Sequence, residues 1–214
     1  MTPTQIETAA RNRYNSVGDS FFSSAEILDL MWDACLDMTR ETNLIERVYT
    51  SSTIASTQEY AFPTSTISIK RITYEGKKLK PITFREDDAI TGLNQSTTST
   101  GTPQFYYQWD GSIFLRPIPS SVGTLKIFAY NEPEVLTATS VLEIPLQFHM
   151  DLVDYIVSEM AAKDSNFQAA EYYQNKWQKT LSEIKKWQRK RLRGDSFATV
   201  QDEEALIEGY LGIV

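Results

Sequence analysis

Apolar residues recur at helical spacing in two stretches of the C-terminal third of the chain. The first face comprises Leu152, Val153, Ile156, Val157, Met160 and Ala161; after a break at Asp164-Ser165, the second comprises Phe167, Ala170, Tyr173, Trp177, Leu181, Ile184 and Trp187. Residues three, four and seven positions apart share one side of a helix. Pro145 fits a helix start, because its φ angle suits the first turn. The pattern predicts a helical hairpin over residues 144–193.

Two further helices are predicted near the N-terminus. Thr4 and Glu7 have the spacing of a capping box and predict a short first helix. Ser23 and Glu26 form a second such pair and open a longer helix over residues 23–42. The inward face of the longer helix is predicted to hold Ile27, Leu28, Met31, Ala34, Cys35 and Met38.

Between residues 44 and 130 the chain changes to short runs of β-branched and aromatic residues separated by turns. Strands are predicted near Leu44–Thr50, Glu59–Phe62, Ile67–Tyr74, Leu79–Phe84, Gln104–Trp109, Ser112–Arg116 and Gly123–Tyr130. Hairpin turns are predicted at 74–77 and at 109–112, where Asp110-Gly111 suits the positive φ angles of a two-residue turn. Residues 95–102 are low in complexity and predict a loop.

The order of these elements predicts an α+β fold. The N-terminal helices (1–43) and the C-terminal helical hairpin (144–193) form one helical bundle, and an antiparallel β domain (44–135) is inserted between them. Residues 194–214 form an extended C-terminal arm, whose mixed apolar and acidic sequence has little to fold against by itself. The side chains predicted to be largely buried are Leu28, Met31, Leu152, Ile156, Trp177 and Leu181.

Composition restricts the class of protein further. With 214 residues, of which 41% are hydrophobic, the chain can bury a sizeable core. One cysteine and one histidine make neither an internal disulfide nor a zinc site, so no metal and no cofactor is expected. The chain has no run of about eighteen apolar residues and no signal-peptide pattern at its start. The sequence therefore predicts a protein that is made in a cytoplasm and does not enter a membrane.

Charge is divided sharply along the chain. The net charge is −7, yet residues 176–193 carry eight bases against one acid, and residues 194–214 carry five acids and no base. Complementary charge sets the orientation and choice of protein partners, so these blocks predict an interface. Its predicted members are Lys185, Lys186, Arg189, Lys190, Arg191, Arg193, Glu203, Glu204, Leu206, Ile207, Tyr210 and Leu211. Binding to nucleic-acid phosphate is the alternative, but Trp187 continues the apolar series, which favours packing over base stacking.

The longer N-terminal helix carries a row of carboxylates opposite its apolar face. Its members are Glu26, Asp29, Asp33, Asp37 and Glu41, at spacings of three or four residues. An ordinary solvated face is the simplest interpretation. The functional alternative is an acidic channel wall that repels the phosphate backbone and lets DNA slide. A Ca²⁺ or Mg²⁺ site is a third interpretation, although a straight row does not converge on one point.

No catalytic motif is recognisable. His149 lies near the inner face of its helix and is predicted to be packed and hydrogen-bonded, since a dyad with Asp151 or Asp154 has no nucleophile at a readable spacing. Cys35 lies on the apolar stripe and predicts an inert core thiol. The P-loop, GxGxxG and GxSxG patterns are absent from the sequence. We therefore expect a protein that is not an enzyme; a small carboxylate-dependent hydrolase that uses the acidic helix is the alternative from another class.

Five segments in fixed order carry a resemblance to a known family. They are Glu59-Tyr60-Ala61-Phe62-Pro63, the strand 67–74 with its Tyr-x-Gly-Lys-x-Leu turn at 74–79, Gly101 to Tyr107, Asp110 to Pro117, and Leu142 to Tyr155. By their order and spacing, over roughly residues 20–193, the chain resembles the head–tail adaptor (connector) proteins of tailed bacteriophages.

The resemblance implies a non-enzymatic protein of the virion neck. Such adaptors form a ring of copies of one chain, usually twelve, that docks beneath the portal protein, receives tail or nozzle proteins, and encloses the channel for double-stranded DNA without reading its sequence. In that setting the predicted interface contacts the portal or a neighbouring copy, and the carboxylate row lines the channel. The arm is predicted to be mobile in the free subunit and to order on binding. Another neck or tail-tube protein of the virion is the alternative.

Overall fold

The computed structural model describes residues 1–91 and 99–193 and confirms the α+β class. The helices are α1 (Pro3–Tyr14), α2 (Ser24–Thr42), α3 (Phe84–Thr91), α4 (Leu152–Lys163) and α5 (Phe167–Arg193). The strands are β1 (Glu46–Ser52), β2 (Glu59–Ala61), β3 (Thr66–Tyr74), β4 (Lys77–Lys78), β5 (Lys80–Pro81), β6 (Thr100–Gly101), β7 (Phe105–Trp109), β8 (Ser112–Arg116), β9 (Ile118–Pro119) and β10 (Thr124–Asn131). No helix within the described ranges is long and apolar enough to cross a membrane.

The helical part is a bundle in which α4 packs against α1, α2 and α5. Its core joins residues from both ends of the chain, as predicted. Met31, Leu152, Ile156, Trp177 and Leu181 are at most 4% exposed, and Leu28 is half-buried. The prediction that Phe167 belongs to the apolar face of α5 is wrong. This side chain is 70% exposed, because Phe167 is the first residue of α5, beside the turn that connects α4 to α5.

The first helix begins earlier than the sequence pattern predicts. Thr2 is its N-cap: the Thr2 hydroxyl accepts a hydrogen bond from the Gln5 amide, and the Gln5 side chain accepts one from the Thr2 amide. The predicted Thr4–Glu7 pair is therefore wrong, because Pro3 takes the first helical position and fixes the start one residue ahead of Thr4. Glu7 instead forms an ion pair with Arg11.

Of two other predicted helix starts, one is confirmed and one is wrong. Ser23 caps α2 as predicted, since its Oγ accepts from the Glu26 amide at 3.1 Å. Pro145, by contrast, precedes a 3₁₀ turn at Leu146–Phe148, and α4 begins only at Leu152. The intervening turn is closed by His149, whose ring bonds the Ile144 carbonyl, so the predicted helix start at Pro145 is wrong.

The strands form two main sheets with a separate hydrophobic cluster between them. One sheet has the order β1-β10-β3-β4, the second has the order β2-β8-β7-β5, and β6 and β9 form a small pair. Pairing is antiparallel, as predicted, apart from the two-residue pairs β5–β7 and β6–β9, which are parallel. The cluster comprises Ile72, Tyr74, Leu79, Tyr106, Ile113, Leu115, Leu125, Ile127 and Ala129.

The two predicted hairpin turns are present, with φ angles of 47° and 79° at Glu75 and Gly76 and of 48° and 70° at Asp110 and Gly111. The predicted strand at 79–84 is largely wrong, because Phe84 begins α3. Thr83 caps that helix: its hydroxyl accepts from the Glu86 amide while the Glu86 carboxylate accepts from the Thr83 amide. Of the predicted loop 95–102, residues 95–98 lie outside the described ranges, and Thr100–Gly101 form β6.

Candidate assembly surfaces

Three of the five carboxylates in the row on α2 are bound by neighbouring helices. Their partners belong to α4 and α5: Glu26 pairs with Lys163 at 2.6 Å, Asp37 accepts the indole hydrogen bond of Trp177 at 2.7 Å, and Glu41 pairs with Lys185 at 2.6 Å. These three groups therefore connect the helices of the bundle, and the row is not a uniform acidic surface.

The other two carboxylates, Asp29 and Asp33, are exposed. Neither has a hydrogen-bond or ion-pair partner among the residues that the structure describes. Burial, followed by the charges of Glu159, Asp33 and Asp37, raises the pKa of Tyr155 to about 12. Such an upward shift is what nearby negative charge produces, since it disfavours a phenolate. Within the described ranges, the carboxylates of the row that lack a partner thus lie in the first half of α2.

The basic end of α5 is divided in the same way. Lys185 pairs with Glu41, and Arg191 pairs with Glu46 at 2.9 Å. The exposed bases Lys186, Arg189 and Lys190 have no ion-pair partner within the described ranges. The side chain of Arg193 and the arm residues Glu203, Glu204, Leu206, Ile207, Tyr210 and Leu211 lie outside the described residues. The described part of the predicted interface thus presents three unpaired cations.

Trp187 packs at this end of the bundle. Its half-buried ring meets the ring of Phe148 edge to face, with centroids 5.3 Å apart. The guanidinium of Arg191 lies 5.4 Å from the same indole. One residue further, the buried Gln188 amide donates to the Asn43 carbonyl at the C-cap of α2. These contacts support packing over base stacking, because the indole ring already contacts Phe148 and Arg191.

A second basic surface lies on the outward side of the sheet β1-β10-β3-β4. The exposed bases Lys70, Arg71, Lys78 and Lys126 surround Val48 and Phe128, and we name these six residues the basic sheet face. The strand register brings them together: Val48 pairs with Phe128 and Phe128 with Arg71, while the next row contains Lys126, Thr73 and Lys78. The sequence pattern does not reveal this surface, because its cations are contributed by three strands and only the pairing register aligns them.

The environments of the basic sheet face suit an acidic partner. The Arg71 guanidinium lies 4.2 Å from the centre of the Phe128 ring, which holds the cation in place. Lys70 pairs with Glu46 at 3.1 Å. Among the described residues, Arg71, Lys78 and Lys126 have no ion-pair partner. Val48 is 57% exposed and offers an apolar contact in the middle of the charges.

The side chains considered as catalytic groups, His149 and Asp154, make hydrogen bonds that hold the fold together. His149 is buried; its Nε2 lies 2.6 Å from the Ile144 carbonyl oxygen and its Nδ1 lies 2.9 Å from the Met1 nitrogen. Asp154 is buried and accepts hydrogen bonds from Arg13 and Lys176, so it forms no dyad with His149. Asp151 has a pKa raised by burial and by the nearby charge of Asp154.

Two further observations concern reactive groups. Cys35 is 1% exposed, and burial, with a smaller contribution from Glu143, raises the pKa of its thiol to about 12. The thiolate is the reactive form of cysteine, so this side chain is an inert part of the core. Within residues 1–91 and 99–193, no group of three or more His, Cys, Asp or Glu side chains could hold a metal ion.

Comparison with known proteins yields one family. The profile of the family described as SU10 adaptor protein matches residues 1–201. No curated protein sequence matches the chain. The matched range contains every helix and strand from α1 to α5, and with them both exposed basic surfaces and the acidic part of α2.

Proposed function

Because the chain belongs to the SU10 adaptor protein family, we propose that it forms a ring beneath the phage portal that joins the head to the tail. A member of this family is a structural component of a phage particle and not an enzyme. In the proposed ring, copies of the chain, twelve by analogy with the adaptors that it resembles, surround the channel for double-stranded DNA in the neck of the virion. Tail or nozzle proteins bind on the side away from the portal.

The separation of charge on the bundle is the observation that carries the proposal. Asp29 and Asp33 lie in the first half of α2, whereas the unpaired bases near Gln188 lie beside the C-cap of that helix, Asn43. The ten residues from Asp33 to Asn43 correspond to about 15 Å along a helix. A closed ring of identical copies needs two different surfaces on each copy that fit one another, and opposite charges supply orientation for such a contact. We assign Lys186, Arg189 and Lys190 to the contact with the portal or a neighbouring copy.

Electron microscopy of the purified protein mixed with purified portal tests this function. We expect an added ring of density on the face of the portal that points toward the tail. A variant with Lys186, Arg189 and Lys190 changed to glutamate should reduce the fraction of portals that carry this ring. A control variant with the same charge change at Lys77, Arg85 and Lys179, exposed bases without an ion-pair partner within the described ranges, should not. Portal particles that remain bare with the wild-type protein would favour another neck or tail-tube component.

Charge reversal on α2 tests the proposed channel wall. Asp29 and Asp33 are the appropriate targets, because Asp37 binds Trp177 and its replacement would disturb the bundle. The double change of Asp29 and Asp33 to lysine should slow DNA passage, since lysines on the wall attract the phosphates that carboxylates repel. Ring assembly should be largely unchanged. The measurement is the rate of DNA release from particles that carry the variant.

The matched control for the channel places the same charge change elsewhere. Glu171 and Glu183 are exposed on α5, so their double change to lysine alters the net charge equally. This control should release DNA at the wild-type rate. A map of the assembled ring in which α2 faces the outside would contradict the assignment, whatever the release rates are.

A further inference from the structure

The basic sheet face lies beside the point where the described chain ends. Arg191, two residues before the end of α5, pairs with Glu46, and Glu46 also pairs with Lys70 of the basic sheet face. Glu46 lines a groove of about 450 Å³ together with Val48, Arg71 and Lys78. The last turn of α5 therefore lies at one side of this groove.

We propose that the acidic C-terminal arm, residues 194–214, binds in cis to the basic sheet face of its own subunit. The arm carries Asp195, Asp202, Glu203, Glu204 and Glu208 and no base. Its apolar residues Leu206 and Ile207 follow the acidic cluster after one alanine. The receiving surface has the matching composition, with three cations that have no ion-pair partner in the described part of the chain around the exposed side chain of Val48.

The reach of the arm is sufficient for this contact. Glu203 follows the end of α5 by ten residues, which span up to about 33 Å when extended. The width of the sheet from β1 to β4 is three strand spacings, or about 14 Å. A short tether gives an effective concentration on the order of millimolar, so even a weak attraction between these surfaces populates the bound state.

The contact has a consequence for the free subunit that does not depend on the proposed function. It holds an arm that the sequence alone predicts to be mobile, and it covers the cations of the basic sheet face. A partner that binds either the arm or the face must first separate them. The free subunit is thereby protected from pairing its arm with another copy before that partner is present.

Paramagnetic relaxation measured by NMR tests the contact in the full chain. Ala205 lies between Glu204 and Leu206, and its change to cysteine gives a site for a nitroxide spin label. The only native thiol, Cys35, is buried and its raised pKa keeps it unreactive, so the label attaches at position 205. We expect the amide signals of Val48, Arg71 and Lys126 to lose most of their intensity, and signals of α1 to keep theirs.

Charge reversal, high salt and a mixing experiment complete the test. The double change of Arg71 and Lys78 to glutamate should restore the lost intensity, while the same change at Arg85 and Lys179, outside the groove, should not. About 1 M salt, where the screening length falls to about 3 Å, should also restore it. Intensity that stays unchanged in the wild type would overturn the proposal. So would losses that appear when spin-labelled chains are mixed with isotope-labelled chains lacking the label, because they show binding between copies.

Discussion

Replacing Ile156 with alanine is expected to lower the free energy of unfolding by about 2–5 kcal/mol. Ile156 is fully buried on α4, the helix that packs against α1, α2 and α5. Truncation removes apolar contacts and leaves a cavity that three surrounding helices cannot all move to fill. Denaturant titration followed by circular dichroism measures the difference.

An exposed side chain of the same region provides the control. Leu146 lies in the 3₁₀ turn before α4 and is 70% exposed, so its change to alanine should alter the free energy of unfolding by no more than about 0.5 kcal/mol. Equal midpoints for the Ile156 variant and the wild type, with the same dependence on denaturant, would contradict the bundle core described above.

Deletion of residues 195–214 is expected to abolish incorporation of the protein into particles. The arm supplies apolar residues that need a partner surface, and its acids match a basic one. Thermal stability of the free subunit should be nearly unchanged, because contacts between exposed charges contribute only about 0–1 kcal/mol. The amount of protein in purified particles, relative to portal, measures incorporation. A thermal melt of the purified free variant checks that it folds.

A variant of equal length separates the role of the arm's sequence from that of its bulk. Replacing residues 195–214 with a glycine and serine sequence keeps a chain of the same reach but removes the acids and the apolar groups. It should fail to incorporate, as the deletion does. Wild-type occupancy by either variant would show that the arm is not the docking element, and the basic end of α5 would become the better candidate.

The elements that could be predicted from the sequence are those with a strong local signal. The strand Ser112–Arg116 and the Asp110-Gly111 turn before it have the predicted bounds. A two-residue turn fixes where the next strand begins and how it pairs with the strand before the turn. The end of α2 at Thr42 is also as predicted, and Asn43 follows in the left-handed conformation that ends a helix.

The misassigned segments show a competing local signal. Residues 79–84 contain the β-branched and aromatic residues that are typical of a strand, but Thr83 and Glu86 form a capping box that starts α3. That Thr-x-x-Glu spacing is readable in the sequence and would have identified the helix start. For α1, the proline at position 3 is the stronger signal, and it moves the box to Thr2 and Gln5.

The candidate surfaces were less predictable because they depend on contacts between distant residues. The carboxylates of α2 form a regular row in sequence, yet Asp37 lies against Trp177, 140 residues away. Only such partners decide which acids remain exposed. The basic sheet face is likewise assembled by strand pairing, which a charge count along the chain cannot detect.

The pairing of β1 with β10 has a consequence for the order in which the protein folds. Glu46 lies opposite Tyr130, so both ends of the strand region meet beside the bundle. Bringing Asn43 and Ile144 together in an unfolded chain closes a loop of about 100 residues, whereas after β1 and β10 have paired the remaining loop, formed by residues 44–46 and 130–143, has about 17. The entropic free-energy cost of closing the loop then falls by about 1.5 kcal/mol. Folding of the inserted strand region therefore offsets most of the entropic barrier that its own length creates between the two halves of the bundle.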